Sequence, residues 1–396
     1  MALLEFLRTD MSSRAKRIWG LAALGLCFGV PLTLTHPSAG LFAMTAYGGA
    51  LAAFVIGYGE AQRGGDGFSL RKVLLVAGPL LALYGVLQYF FPLSAWDALW
   101  LESADLASIE APEEDHIRVF STLNSPQPLA AVLAVTLIFL VAVRRLSAGA
   151  LLAAAVVAVG LSLTYARGAM LSVVAGLIAL ALATRGRLMP RMAAIVAACI
   201  ASVVLLSPVS STANAVLERA TTFGGLKGDT SVEARSQTAA ELFPVALAKP
   251  LGHGLGSIGE AARLSGSEGK ARFLGADNGY LAVAWQLGPV GFFLVIGAVL
   301  WLLMITALTP VRGSTRFELK ALVVSVLVLL LFYAAGQDIF YGVSGAIFWY
   351  LAGRAMWLAD HARDPVPGAG LPPTGYSRRP SGRVMAEGVR RSPAEG

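Results

Sequence analysis

Apolar runs of membrane-spanning length recur along the chain, separated by short polar connections. A helix needs about 20 apolar residues to cross a hydrocarbon core of roughly 30 Å. The predicted fold class is therefore all-α, a polytopic membrane helix bundle over residues 19–359. We count about ten transmembrane helices, near residues 19–34, 39–59, 73–91, 128–143, 148–165, 168–184, 192–206, 279–308, 321–335 and 341–358.

The composition agrees with this pattern. Of the 396 residues, 56% are hydrophobic and 14% are charged, whereas an ordinary soluble domain carries about 25% charged residues. The two cysteines, Cys27 and Cys199, both fall within predicted spans. No disulfide framework and no metal site is expected from this sequence.

Lysine and arginine are concentrated in alternate connections, which fixes the predicted orientation, because cytoplasmic loops retain positive charge. Both chain ends are then cytoplasmic, with residues 1–18 as an N-terminal segment. The segment after the third predicted helix is acidic and external. The basic pI of about 9.6 reflects the inner rim and favours anionic lipid headgroups as partners, not nucleic acid. The connections on that rim contain Arg63, Arg71, Lys72, Arg144, Arg145, Arg185, Arg187, Arg191, Arg312, Arg316 and Lys320.

Two external segments, 92–127 and 207–276, are too long to be simple connectors, and long loops tend to be functional or disordered. The second contains SVEARSQTAAELFPVALAKP, whose residues Val232, Ala239, Leu242 and Phe243 share one side of a helical projection. This pattern predicts an amphipathic helix along the outer face. Residues 360–396 are rich in proline, glycine and arginine, which predicts a disordered cytoplasmic tail.

Arg167 lies between two apolar runs with almost no loop, in TYARGAMLSVVAGL. Charged residues within membrane segments usually mark function because their burial is costly. The alternative is that the side chain reaches the external headgroups as an anchor. The following Gly168 favours a functional role, since it allows a ligand or a partner backbone to approach closely.

A second arginine, Arg235, precedes the glycine-rich sequence PLGHGLGSIG. Glycines such as Gly252 and Gly254 permit a tight turn whose consecutive amides can face an anion. His253, between them, is either a proton carrier or a polar loop residue.

Asp277 and Asn278 immediately precede a long apolar run. Either residue could cap the helix by accepting a hydrogen bond from a first-turn amide. A helix N-terminus also favours the ionised form of a nearby carboxylate. Beside an arginine-lined anion site, such a carboxylate could accept a proton from a sugar hydroxyl.

These residues resemble the O-antigen ligases and the related O-antigen and exopolysaccharide polymerases. ADNGYLAVAWQLGPVG is similar to the family's conserved helix start, with Asp277 in place of the usual histidine and Gln286 in place of glutamate. TYARGAMLSVVAGL resembles a second family segment, and RVFSTLNSPQPLAAVLA, from Arg118, resembles a third. The matching positions in the first segment are Asn278, Tyr280, Leu281, Leu287, Gly288 and Gly291.

The resemblance implies a metal-independent, inverting glycosyltransferase without a cofactor, at the external face of the bacterial inner membrane. Its donor would be an undecaprenyl-pyrophosphate-linked glycan, and its acceptor the hydroxyl of a glycan or glycolipid. Arg167 and Arg235 would hold the pyrophosphate, with Arg118 as a third candidate, and Asp277 would act as the base. The resemblance also places Asn278, Tyr280, Gly252, Gly254 and His253 at the substrate.

Several functions remain open from the sequence. The substituted histidine favours a polymerase that joins repeat units over a ligase that transfers glycan to the lipid A core. A transporter or flippase of lipid-linked glycans is an alternative, although transporters tend to carry charges near the membrane midplane. A peptidoglycan polymerase and a structural scaffold are further alternatives, and a scaffold would not require Arg167.

Overall fold

The described part of the chain is built from α-helices. A computed structural model describes residues 9–31, 37–64, 70–104, 117–123, 125–142, 147–206, 230–263, 278–310 and 314–362, and these ranges contain no β-strand. We number the helices α1 Ser13–Cys27, α2 Pro37–Gln62, α3 Leu70–Phe90, α4 Ala95–Ala104, α5 Pro126–Val141, α6 Ala148–Leu163, α7 Arg167–Thr184, α8 Met189–Leu206, α9 Thr230–Ala248, α10 Glu260–Arg263, α11 Gly279–Leu308, α12 Ser314–Tyr333 and α13 Gly342–Asp360.

The all-helical class is confirmed, and every predicted span overlaps a helix. Within the described ranges, four helices are long and apolar enough to cross a membrane: α2, α3, α7 and α11. Shorter apolar helices occur in α5, α6, α8 and α12. The count of about ten spans stays a prediction, as do the sidedness of the loops and the character of the tail, which lies outside the described residues.

The first helix begins earlier than its apolar run. The hydroxyl of Ser12 accepts a hydrogen bond from the Ala15 amide at 3.1 Å, and α1 runs from there to Cys27. Hydropathy places the start near residue 19 because the first turns carry Arg14, Lys16 and Arg17. Those side chains are compatible with a helix but not with an apolar run.

The core centres on α5, whose residues 129–141 are all buried. A helix that is apolar on every side belongs in the interior of a bundle. Around it, α2 packs on α13, α7 on α12, α1 on α11, and α3 on α6. The amphipathic helix predicted in the second long segment is present as α9, and it packs against α11 through Leu242, Phe243, Ala246 and Leu247.

Small residues allow α2 and α13 to approach closely, as is common between membrane helices. A side chain added to Gly57 would collide with the carbonyl of Tyr350, and one added to Gly353 would collide with the carbonyl of Phe54. Near the last turns of both helices, Arg354 and Glu60 form an ion pair at 3.2 Å, with both side chains 13% exposed.

We define the outer end of the bundle as the end where α3, α6 and α12 finish and α5, α7 and α11 begin. Contacts join these helix ends directly: Tyr333 donates to the carbonyl of Gln127 at 3.2 Å, and the Gly279 amide donates to Ala334 at 2.7 Å. The outer end coincides with the side predicted to be external.

We predict that Gly57→Ala lowers the free energy of unfolding by about 1 to 3 kcal/mol, because the added methyl group overpacks the contact with α13. The measurement is the thermal midpoint of the purified protein in detergent. Gly48→Ala is the matched control in the same helix, since nothing lies within 4 Å of a side chain there. Equal midpoints for the two variants would contradict the close contact between α2 and α13.

Candidate functional site

A three-residue turn carries Arg167 to the outer end. Helix α6 ends at Leu163 and α7 begins at Arg167, as the near absence of a loop in the sequence predicts. Tyr165 takes a left-handed conformation with φ of 55°, and the Arg167 amide donates to its carbonyl at 3.1 Å. The Arg167 side chain is exposed, at a helix N-terminus whose dipole favours anions.

Gly168 is not required by packing. A side chain at this position would meet the ring of Tyr333 at 3.7 Å, an ordinary van der Waals distance. Among the described residues, no partner backbone approaches Gly168. Space for a ligand beside Arg167 remains a prediction.

Arg118 is held at the same turn. Its Nε donates to the carbonyl of Thr164 at 3.1 Å, three residues before Arg167 along the chain. The next amide, that of Val119, donates to Leu163 at 3.2 Å. These two bonds fix the Arg118 segment to the end of α6, so the fold brings two of the three predicted arginines to one place.

Helix α3 fixes the other side of this segment. The side-chain oxygen of Gln88 accepts a hydrogen bond from the Ser121 amide at 2.7 Å. The side-chain nitrogen of Gln88 donates to the Ser121 carbonyl at 3.2 Å. Both residues are buried, and Ser121 has a φ of 53°. The Gln88 amide therefore satisfies both backbone polar groups of a residue in a strained conformation.

The start of α11 is linked to the start of α7 through the end of α12. Asn278 caps the helix, because its side-chain oxygen accepts from the Leu281 amide at 3.1 Å. Tyr280 donates its hydroxyl to the carbonyl of Leu331 at 2.7 Å. Since Gly279 contacts Ala334 and Gly168 adjoins Tyr333, the end of α12 connects the start of α11 to the start of α7.

The glycine turn after α9 is used within the fold. The amides of His253 and Gly254 donate to Trp285 and Gln286 at 2.8 and 3.1 Å. The Gly256 amide donates to the side chain of Gln286 at 2.8 Å. These amides already have acceptors, so they do not form the row of anion-facing groups that the sequence suggested.

A kink in α11 explains why glycines are needed at this turn. Gly288 has a φ of 67° and Pro289 follows it, which interrupts the helical hydrogen bonds. The turn supplies donors to the carbonyls released there. A side chain on Gly252 would collide with the backbone of Gln286 and Gly288, so its glycine is explained by the fold.

His253 is stacked on Trp285, with ring centroids 3.8 Å apart and planes at 4°. Its Nδ1 lies 3.2 Å from the Trp285 carbonyl. Partial burial lowers the pKa of the His253 imidazole. These contacts agree with the interpretation of His253 as a polar loop residue held in place.

A buried polar network connects the glycine turn to the segment before α13, and the sequence analysis did not identify it. Gln286 donates to the Tyr47 hydroxyl at 2.8 Å, and Tyr47 donates to the carboxyl group of Asp338. The Phe340 amide donates to the other oxygen of Asp338 at 2.9 Å. Asp338 is the acidic residue of a short connection between two apolar runs, the same signal that identified Arg167.

Asp338 also contacts the start of α11, because a side chain on Gly279 would meet its Cα at 2.9 Å. The network therefore helps to position Asn278, the residue that precedes Gly279.

Two of the predicted site residues cannot be placed by their side chains: Asp277 is outside the described residues, and of Arg235 only the helical backbone in α9 is described. Their roles stay predictions.

A family model described as O-antigen ligase matches residues 152–296. The matched region runs from α6 into α11 and includes Arg167, Arg235, the glycine turn and the start of α11. It supports the family resemblance indicated by the sequence motifs, while Arg118 and Asp338 lie outside it. No curated protein matches the chain.

We predict that the Asp338 carboxyl makes stability depend on pH. Burial raises its pKa from 3.8 to about 6, against the lowering effect of its hydrogen bonds from Tyr47 and Phe340. The folded protein therefore binds a proton that the unfolded chain has released, and this stabilisation is lost as the pH rises through about 6. The thermal midpoint should therefore fall as the pH rises from about 4 to about 6 and should level off above that range.

Asp338→Asn should flatten that part of the pH profile. Asp10→Asn is the matched control, because the Asp10 side chain is 91% exposed, and it should leave the profile unchanged. Parallel profiles for Asp338→Asn and the unsubstituted protein would show that Asp338 does not retain a proton in the fold.

Proposed function

Because residues 152–296 match the O-antigen ligase family, we propose that the protein is a membrane glycosyltransferase. It transfers a glycan from an undecaprenyl-pyrophosphate donor to a sugar hydroxyl. The reaction takes place at the external face of a bacterial inner membrane, with both chain ends in the cytoplasm. The observation that carries this proposal is the placement of Arg118 and Arg167 at one turn of the outer end.

The arginines suit a departing pyrophosphate. As the bond between the anomeric carbon and the phosphate oxygen breaks, negative charge accumulates on the pyrophosphate. Fixed cations in a site of low dielectric constant stabilise that charge most strongly in the transition state. A guanidinium group also binds phosphate oxygens in bidentate fashion, which an ammonium group cannot do. In this proposal Arg167 and Arg235 bind the pyrophosphate, and Arg118 adds charge beside them.

The acceptor reacts at the start of α11. Its hydroxyl oxygen forms the new bond to the anomeric carbon, its proton passes to Asp277, and undecaprenyl pyrophosphate leaves from the opposite face. The anomeric configuration is therefore inverted, and no metal or cofactor takes part in these steps. The capped helix of Asn278 supports the role of Asp277, because a helix N-terminus stabilises a carboxylate next to it.

We predict that Arg167→Ala reduces the rate of glycan transfer by about 100-fold to 1,000-fold, the loss typical of a removed transition-state donor. Arg235→Ala should have a similar effect. Arg167→Lys should retain part of the activity, because it keeps the charge but loses the bidentate geometry. The measurement is transfer of a radiolabelled glycan in proteoliposomes, with the thermal midpoint recorded for each variant.

Arg185→Ala is the control, because Arg185 is an exposed arginine at the other end of α7. Asp277→Asn should abolish turnover while the lipid donor still binds. Full activity of both Arg167→Ala and Arg235→Ala would remove the catalytic role of the arginines. Retained turnover in Asp277→Asn would reduce that residue to a helix cap.

We favour polymerisation of repeat units over transfer to the lipid A core, because Asp277 occupies the position of the ligase histidine. A purified enzyme supplied with a lipid-linked repeat unit should then yield products that lengthen stepwise on a gel. A single transfer to a lipid A core acceptor, without chain growth, would identify a ligase. Movement of the intact lipid-linked glycan across the bilayer without a new glycosidic bond would identify a flippase.

A further inference from the structure

A side-chain hydrogen bond ties the first turn of α4 back to α3. Helix α3 ends at Phe90 and α4 begins at Ala95, yet Tyr84 donates its hydroxyl to Asp97 at 2.7 Å. Tyr84 lies six residues before the end of α3, which corresponds to about 9 Å along the helix axis at about 1.5 Å per residue. The first turn of α4 is therefore at the level of the last turns of α3.

The Asp97 carboxylate in that first turn already accepts hydrogen bonds within the protein. Asp97 is 3% exposed, and its carboxylate also accepts from the Ser94 hydroxyl at 2.9 Å. The Ser94 oxygen accepts from the Asp97 amide at 3.1 Å in return. The start of α4 thus presents no charged side chain to its surroundings, while Glu102, near its other end, is exposed.

The exposed side chains of α4 are large and apolar. Trp96 is 79% exposed and Leu99 is 62% exposed, three residues apart and so on neighbouring positions of one helical face. Tryptophan is enriched at membrane–water interfaces, where its amphipathic ring sits at the level of the headgroups. Exposed apolar side chains grouped on one face mark a surface that is covered by lipid or by a partner.

The same exposed apolar surface runs along α3. Leu80, Leu83 and Leu87 are exposed at intervals of three and four residues, which places them on one face. Helix α3 is a candidate membrane span, so we expect this face to contact lipid. Phe90 and Phe91 extend it to the connection with α4.

We propose that α4 is an interfacial helix that lies in the outer leaflet, with Trp96 and Leu99 among the lipid chains just below the headgroups. The occupant of this surface is the lipid bilayer. The proposal rests on three observations: the hydrogen bond that returns α4 to the level of Tyr84, the satisfied carboxylate of Asp97, and the continuous apolar face of α3.

This helix sets the depth of the arginine site. Gln88 of α3 is hydrogen-bonded to Ser121. Val119 packs close to Gly85 of α3, since a methyl group added to Gly85 would lie 3.3 Å from the Val119 side chain. Helix α3 therefore carries the segment of Arg118, and α4 fixes how far α3 rises from the membrane. On the basis of the proposed function, α4 keeps the Arg118 guanidinium at the level of the phosphates of a lipid donor.

The test uses the full-length protein in vesicles of phosphatidylethanolamine and phosphatidylglycerol. Cys27 and Cys199 are replaced by serine, and a nitroxide is attached to Trp96→Cys, Leu99→Cys, Leu83→Cys or Glu102→Cys. Collision of the nitroxide with oxygen, which concentrates in lipid, is compared with collision with a nickel chelate, which stays in water. Trp96→Cys and Leu99→Cys should show an oxygen-to-nickel ratio close to that of Leu83→Cys and several-fold above that of Glu102→Cys.

Two results would overturn the proposal. Ratios for Trp96→Cys and Leu99→Cys equal to that of Glu102→Cys would place α4 in water. Low collision with both reagents together with spin–spin broadening would show that a second copy of the chain covers the face. Neither readout depends on glycan transfer, so this proposal can fail while the proposed function stands.

A second measurement avoids the cysteine background. Brominated lipids quench tryptophan only at close range, and the fluorescence difference between the unsubstituted protein and Trp96→Phe isolates Trp96. That difference should be strongly quenched by lipids brominated near the headgroup. An unquenched difference signal would also contradict the interfacial position.

Discussion

The last carbonyls of a helix have no partner within that helix, and donors from other parts of the protein can satisfy them. Three cationic side chains supply such donors here. Arg118 donates to Thr164 after α6, Arg71 donates to Ala142 after α5 at 2.6 Å, and Lys320 donates to Ala307 in the last turn of α11 at 3.0 Å. A cation at a helix C-terminus is also favoured by the helix dipole. Arg167 differs from all three, because it begins a helix, where the dipole adds to its positive charge and favours an external anion.

The same requirement shapes the middle of α11. The kink at Gly288 and Pro289 releases carbonyls inside the bundle, and the glycine turn supplies the amides that bind them. Gln286 then connects this turn through Tyr47 to Asp338. Asp338 contacts Gly279 at the start of α11. The glycines, the kink and the buried carboxyl group are thus one structural unit. It positions the helix start at which the proposed acceptor chemistry takes place.

The sequence predicted the features that depend on local pattern. Hydropathy located the helices, and the apolar side formed by Val232, Ala239, Leu242 and Phe243 predicted an amphipathic helix where α9 is found. Its packing on α11 was not predicted. The short turn before Arg167 and the cap at Asn278 followed from neighbouring residues alone. Features made by distant residues were missed: no local pattern pairs Tyr47 with Asp338, or Arg118 with Thr164. The anion-binding interpretation of the glycine turn failed for the same reason, since the acceptors of its amides lie in another helix.

We propose that Arg167, supported by Arg118 at the same turn, binds the diphosphate of a lipid-linked glycan. The most direct test is a cryo-electron microscopy structure of the protein in a lipid nanodisc with undecaprenyl pyrophosphate bound. We expect density for the diphosphate within hydrogen-bonding distance of the Arg167 guanidinium, at the end of the bundle where α7 and α11 begin. A diphosphate bound at the opposite end, or one that contacts neither arginine, would contradict the claim.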